Sequence, residues 1–235
     1  MSFLAVRPFP IIAIGCGLVA MAGSPAPAAE PELIDIKSHV PTVVIDLRYA
    51  TPNNVTGRPL YPPTMRAFAV PSVVEQIAGA QKFLSSYGAR LKIWDAYRPR
   101  EAQQLLWQLA HKGDYVTNPE GGVGSLHSWG VAVDATLADP WGNDLKMPTT
   151  FDEFTPEAAM YYHGTDPTVK AHLRLLQVAM GANKFYGLRI EWWHFVTSDW
   201  KAYLPAEEVS KAEETAKAAV REQLKSTPPD KKTKS

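Results

Sequence analysis

Cysteine is almost missing from this chain: among 235 residues, Cys16 is alone. A lone thiol excludes an internal disulfide framework. Net charge is missing as well, since 24 basic residues balance 24 acidic ones. Such a chain has no long-range field to gather nucleic acid or an anionic membrane, so neither is expected as a partner. No glycine-rich loop follows a strand, which argues against a nucleotide-binding fold. No internal repeat is visible. The apolar run from Phe9 to Ala22 is too short for a comfortable membrane span.

Proline is plentiful, with 20 residues, and favours defined turns over long helices. The length suits a single domain with a good core. Neutrality and size together point to a small substrate handled in a pocket.

Residues 1–29 read as a signal peptide and linker. Arg7 supplies a charged start, the apolar run follows, and GSPAPAAE supplies a small-residue cleavage zone. Ala20-Met21-Ala22 and Ala26-Pro27-Ala28 are both candidate cleavage signals. Pro8 and Pro10 speak against a buried N-terminal helix. The protein is therefore expected to be exported, to the periplasm, with no stable membrane insertion after cleavage. Ala13-Ile14-Gly15-Cys16 loosely resembles a lipoprotein box, a minority reading in which Cys16 carries a lipid.

Residues 30–205 read as one domain. Strands are expected at Val40–Tyr49, Leu91–Trp94, Val131–Leu137 and Leu188–Val196. Helices are expected at Pro71–Tyr87, Arg100–Lys112, Thr155–Tyr162 and Thr168–Met180. Mixed order and short strands predict an α+β fold, with a small, mostly antiparallel central sheet flanked by helices. Residues 206–235 are rich in Glu, Lys and Ala and read as a charged, fraying tail.

Two segments carry chemistry. In SLHSWGVAVD, His127 ends a loop and Asp134 sits inside the apolar strand that follows, with Gly130 allowing the turn between them. A carboxylate there is costly unless compensated, by a metal or equally by backbone donors or an arginine. In EWWH, Glu191 and His194 would point to opposite faces of a regular strand, so a shared site requires a bend at Trp192-Trp193. Two imidazoles and a carboxylate with an open fourth position form the pattern of a catalytic zinc site, expected at the sheet edge. A non-ligating carboxylate could then move protons. Arg98, at a strand end in DAYRP, is either an oxyanion holder or a surface ion pair. His39, His111, His163 and His172 are read as non-ligating. Trp94, Trp107, Trp141 and Trp200 are read as core or pocket wall.

The pattern S-x-H-x-x-G-x-A-x-D followed by E-x-W-H resembles the zinc D-alanyl-D-alanine peptidases. DAYRP, EWWHF and DLRYATPNNVTG resemble the dipeptidases within that group, over roughly residues 43–196. The resemblance implies one Zn2+ per chain held by His127, Asp134 and His194. It implies Glu191 as general base and Arg98 as stabiliser of the tetrahedral intermediate. Tyr49 and Ser125 match positions near the bound dipeptide, and Asp152 the acidic residue that receives its ammonium group. Pro148 stands where the family has a glycine. The implied reaction is hydrolysis of the small dipeptide D-alanyl-D-alanine. A carboxypeptidase or endopeptidase acting on peptidoglycan stem peptides is the alternative, and a non-catalytic zinc-containing binding domain is a third. Export points to wall-fragment turnover or scavenging rather than resistance.

Overall fold

The computed structural model describes residues 32–110 and 115–210, together with 213–214, 217–218 and 221. The signal segment, His111 and most of the tail lie outside the described residues. The order is β1 (Ile34–Asp35), α1 (Ile36–His39), β2 (Val44–Ile45), β3 (Phe68–Ala69), α2 (Pro71–Ser85), β4 (Arg90–Asp95), α3 (Arg100–Leu109), β5 (Ala132–Ala138), α4 (Pro167–Ala182), β6 (Phe185–Leu188) and β7 (Glu191–Thr197). Five strands form one sheet in the order β2-β4-β5-β7-β6. Only the β2–β4 pairing is parallel; the other three are antiparallel. This is the expected α+β architecture.

The two long helices follow from their sequences. Pro71 opens α2 in the first turn, where its missing N–H costs nothing. Val73, Val74, Ile77, Ala80, Gln81 and Leu84 form its buried stripe. Asp166 caps α4 by accepting from the amides of Thr168 and Val169, at 2.8 and 3.3 Å. Val169, Leu173, Leu176, Ala179 and Met180 are buried on that helix. α2 and α4 pack against each other and against the sheet. A Cβ on Gly79 of α2 would lie 2.0 Å from Oδ1 of Asn183, the C-cap of α4, so a larger residue there would displace that capping side chain.

Three expected elements differ. The expected strand from Val40 to Tyr49 shrinks to Val44–Ile45, followed by a 3-10 turn at Arg48–Ala50. Its apolar pattern records burial of Val40, Val43, Leu47 and Tyr49 in the core rather than β pairing. The expected helix at Thr155–Tyr162 is a single 3-10 turn, Pro156–Ala158. Met160 is drawn off instead: its amide bonds to the Arg189 carbonyl, and its carbonyl accepts from Gln177. The final strand is a hairpin, because Phe185–Leu188 forms a separate strand against Glu191–Thr197. Trp141, read as core or wall, is 83% exposed at a loop tip.

Candidate metal centre and active site

Asp134 and His194 face each other across the β5–β7 ladder, as directly paired residues. The expected position at the sheet edge is therefore corrected: β5 and β7 are interior strands, flanked by β4 and β6. An interior position holds both side chains with hydrogen-bond ladders on two sides, which fixes their spacing better than an edge strand does. His127 arrives from the 3-10 turn Leu126–Trp129, which Gly130 closes at φ +69°. A Cβ at Gly130 would lie 2.5 Å from Leu33 Cδ2. Turn and glycine together aim His127 back at Asp134.

The bend required in EWWH is present. β6 pairs Gly187 with Phe195, then Leu188 with Glu191, so Trp192, Trp193 and His194 are extra residues on β7. Glu191 and Trp193 line the central cavity, and so do His194 and Val196. The alternation of the strand therefore breaks between Trp193 and His194. Glu191 Oε2 ends 4.0 Å from His194 Nδ1. β4 also carries a bulge after Ile93, which brings Asp95 opposite Asp134.

The donor atoms form a small triangle. His194 Nδ1 lies 2.9 Å from Asp134 Oδ1 and 3.1 Å from His127 Nε2, and His127 Nε2 lies 3.4 Å from Asp134 Oδ1. Bonds of about 2.0–2.1 Å at tetrahedral angles separate neighbouring donors by roughly 3.3 Å, so the triangle fits one small ion. His127 Nδ1 donates to the Ala96 carbonyl at 2.8 Å, which leaves the Nε2 lone pair facing the triangle. Among the described residues this is the cluster of histidines and carboxylates able to hold a metal.

Charge supports the same reading. Asp95, Asp134, Asp152 and Glu191 are all buried, against one buried guanidinium, Arg98. Burial raises the Asp134 carboxyl, but His127 and His194 outweigh it and hold the group below its usual range. Burial pushes the His194 imidazole down, toward the neutral form that ligates metal. Burial, then the charges of Asp134 and Asp152, raise Glu191 well above the usual carboxylate range. Asp152 is pushed up to about 7, chiefly by burial. A centre with this excess of carboxyl groups is built to receive positive charge.

All eight predicted site residues line one cavity of about 380 Å3: Tyr49, Arg98, Ser125, His127, Asp134, Asp152, Glu191 and His194. Arg98 is no surface ion pair. It is 6% exposed; its Nε and Nη2 bond to Asp95 Oδ2 at 2.9 and 2.8 Å. Its Nη2 lies 3.7 Å from Asp134 Oδ2, so it only partly compensates that carboxylate. Tyr49 stacks under the guanidinium at 4.8 Å and donates to Asp152 Oδ1 at 3.2 Å. The Val55 amide donates to Asp152 Oδ2. Asp152 adopts φ +57°, a conformation that a non-glycine residue holds only when its surroundings fix it.

Three supporting residues had no assigned role in the sequence. Asp95 anchors Arg98, and Tyr61 donates to Asp95 at 2.8 Å. Gln103 accepts from Arg98 Nη1 and donates to the Thr117 carbonyl, both at 2.7 Å. A carboxylate three residues before a buried arginine is a readable signal. The glutamine and the tyrosine carry none.

A family profile described as D-ala-D-ala dipeptidase matches residues 29–211. The chain belongs to this family. It is 36% identical over 164 residues to the D-alanyl-D-alanine dipeptidase of Escherichia coli K12, covering 70% of this chain and 83% of that protein. It is 28% identical over 172 residues to the enzyme of that name from Enterococcus faecium, covering 66% and 85%. Membership of the D-Ala-D-Ala dipeptidases makes the chain a metallopeptidase, and the His–Asp–His triangle is a cluster that could hold its metal.

Proposed function

We propose that this protein is a zinc-dependent dipeptidase that hydrolyses D-alanyl-D-alanine to two D-alanines outside the cytoplasm. The observation that carries the reading is the His127–Asp134–His194 triangle with the uncommitted carboxyl of Glu191 beside it. Two imidazoles and one carboxylate suit zinc better than magnesium or calcium, which prefer oxygen shells. Zinc held there supplies a water acidified toward ~7.

The chain's own residues supply the rest. Glu191 takes a proton from the attacking water and returns it to the leaving amine. Its raised proton affinity favours taking that proton from water. Arg98, held in place by Asp95 and Gln103, faces the cavity with a fixed positive charge for the oxyanion that develops on the peptide carbonyl. Asp152 receives the substrate ammonium, which relieves the cost of ionising that buried carboxyl. Tyr49 fixes the orientation of Asp152, and Ser125 lies on the wall of the same cavity.

Export places the enzyme where wall fragments are released, so we assign it to their turnover or scavenging. The assay compares the free dipeptide with an acylated tripeptide ending in D-Ala-D-Ala. Faster turnover of the free dipeptide is expected. Preference for the blocked peptide would transfer the protein to the stem-peptide carboxypeptidases. Intact mass of the exported protein tests the signal reading: an N-terminus beyond Cys16 is expected, and a lipidated Cys16 would overturn it.

A further inference from the structure

Tyr115 and Phe154 stack face to face, with centroids 4.7 Å apart and planes 18° apart. They come from different connections. Tyr115 lies between α3 and the turn that carries His127, and Phe154 lies beyond β5, two residues after Asp152. Both rings are half-buried, and both line the cavity that holds the metal-ligand triangle. The Phe154 amide bonds to the Asp152 carbonyl at 3.0 Å, so ring and carboxylate belong to one short turn. Phe154 also tilts against Trp193 at 6.5 Å, between Glu191 and His194 in sequence. The stack therefore ties the Asp152 turn to the connection that carries Tyr115, and Phe154 touches β7 at Trp193 within the same cavity.

We infer that the Tyr115–Phe154 pair is the wall that limits substrates to a free dipeptide. The inference rests on the reading of Asp152 as the acceptor of the substrate ammonium. An ammonium at Asp152 is the N-terminal end of the substrate, and a longer peptide must continue past that point. Phe154 follows Asp152 by two residues in the same turn, and Tyr115 stacks on Phe154 along the wall of the same cavity. An extended peptide meets two aromatic faces there, and its amide, which replaces the ammonium, leaves Asp152 without a cation. Rings are suited to this task, because they present a rigid surface with few rotamers to rearrange around an extra residue.

The test measures kcat/KM for free D-Ala-D-Ala and for an N-acylated tripeptide ending in D-Ala-D-Ala, in wild type, Tyr115→Ala and Phe154→Ala. The ratio is expected to move toward the longer peptide by about tenfold or more in each variant. Tyr115→Phe and Phe154→Tyr preserve the stack and should keep the wild-type ratio. If an alanine variant loses its circular-dichroism signal, Tyr115→Leu and Phe154→Leu give the same readout with the volume partly kept. Folded alanine or leucine variants with an unchanged ratio would overturn the wall. A wild type that prefers the blocked peptide would instead overturn the dipeptidase reading, and the wall with it.

Discussion

Gln103 grips Arg98 from the side opposite Asp95: its Oε1 accepts from Arg98 Nη1 at 2.7 Å, while its Nε2 holds the Thr117 carbonyl. The residue is 1% exposed and does not line the cavity, so it acts through Arg98 rather than on substrate. Gln103→Leu should lower kcat by roughly ten- to a hundredfold, because a misplaced oxyanion donor costs transition-state binding. KM should move much less. Gln103→Glu, which keeps an acceptor for Arg98, should recover part of kcat. A variant whose KM alone rises would show that Gln103 serves only the loop at Thr117.

Asp152 gives the pH dependence. The group must be ionised to receive an ammonium, and burial holds it at about 7 in the free protein. The value of kcat/KM should therefore rise with pH with its midpoint at or below about pH 7, since any nearby cation lowers that midpoint. Asp152→Asn should raise KM for the free dipeptide by about tenfold or more, with a smaller effect on an N-acylated substrate. Equal losses on both substrates would remove the ammonium role.

The same group has a stability cost with the opposite sign. The folded carboxyl binds its proton more tightly than the unfolded one, whose value is near 3.8. Its favourable contribution is full below that unfolded value and is lost as pH rises through about 7. In metal-free protein at pH 8, Asp152→Asn should raise stability by up to a few kcal/mol. Part of that gain is offset, because the Val55 amide needs an acceptor where asparagine can present a donor. Urea titration at pH 8 and pH 5 checks this: the gain should be larger at pH 8.

Gly130 is the hinge of the His127 turn. Gly130→Ala meets both an unfavourable φ of +69° and Leu33 Cδ2 at 2.5 Å. A loss of about 1–3 kcal/mol is expected, with weakened metal retention because His127 moves with the turn. Thermal melting with and without chelator measures both effects. A variant with native melting and native metal content would contradict the role given to the turn.

The chemistry of this chain was more legible than its secondary structure. His127, Asp134, Glu191 and His194 are paired in the sequence by the two-imidazole, one-carboxylate ligand pattern and the family resemblance; the buried charge of Asp134 alone left other partners equally open. The bend within EWWH follows because Glu191 and His194 can share a site only if the alternation of the strand breaks. The strand at Val40–Tyr49 was misread because a buried irregular segment and a half-buried strand share one apolar pattern. The helix at Thr155–Tyr162 failed because Met160 bonds across the fold to Arg189 and Gln177, partners distant in sequence. From its spacing alone Arg98 was readable as either of two roles. Burial excludes the surface ion pair, and burial is a property of the whole fold.

The proposed function has one zinc ion at His127, Asp134 and His194 serve hydrolysis of a free dipeptide. D-alanine release from D-Ala-D-Ala by the purified protein, after chelation and stepwise return of zinc, tests it. Activity should vanish on chelation and return in full at one equivalent of zinc per chain. Undiminished release from the chelated protein, or no release at any zinc level, would rule out a zinc dipeptidase.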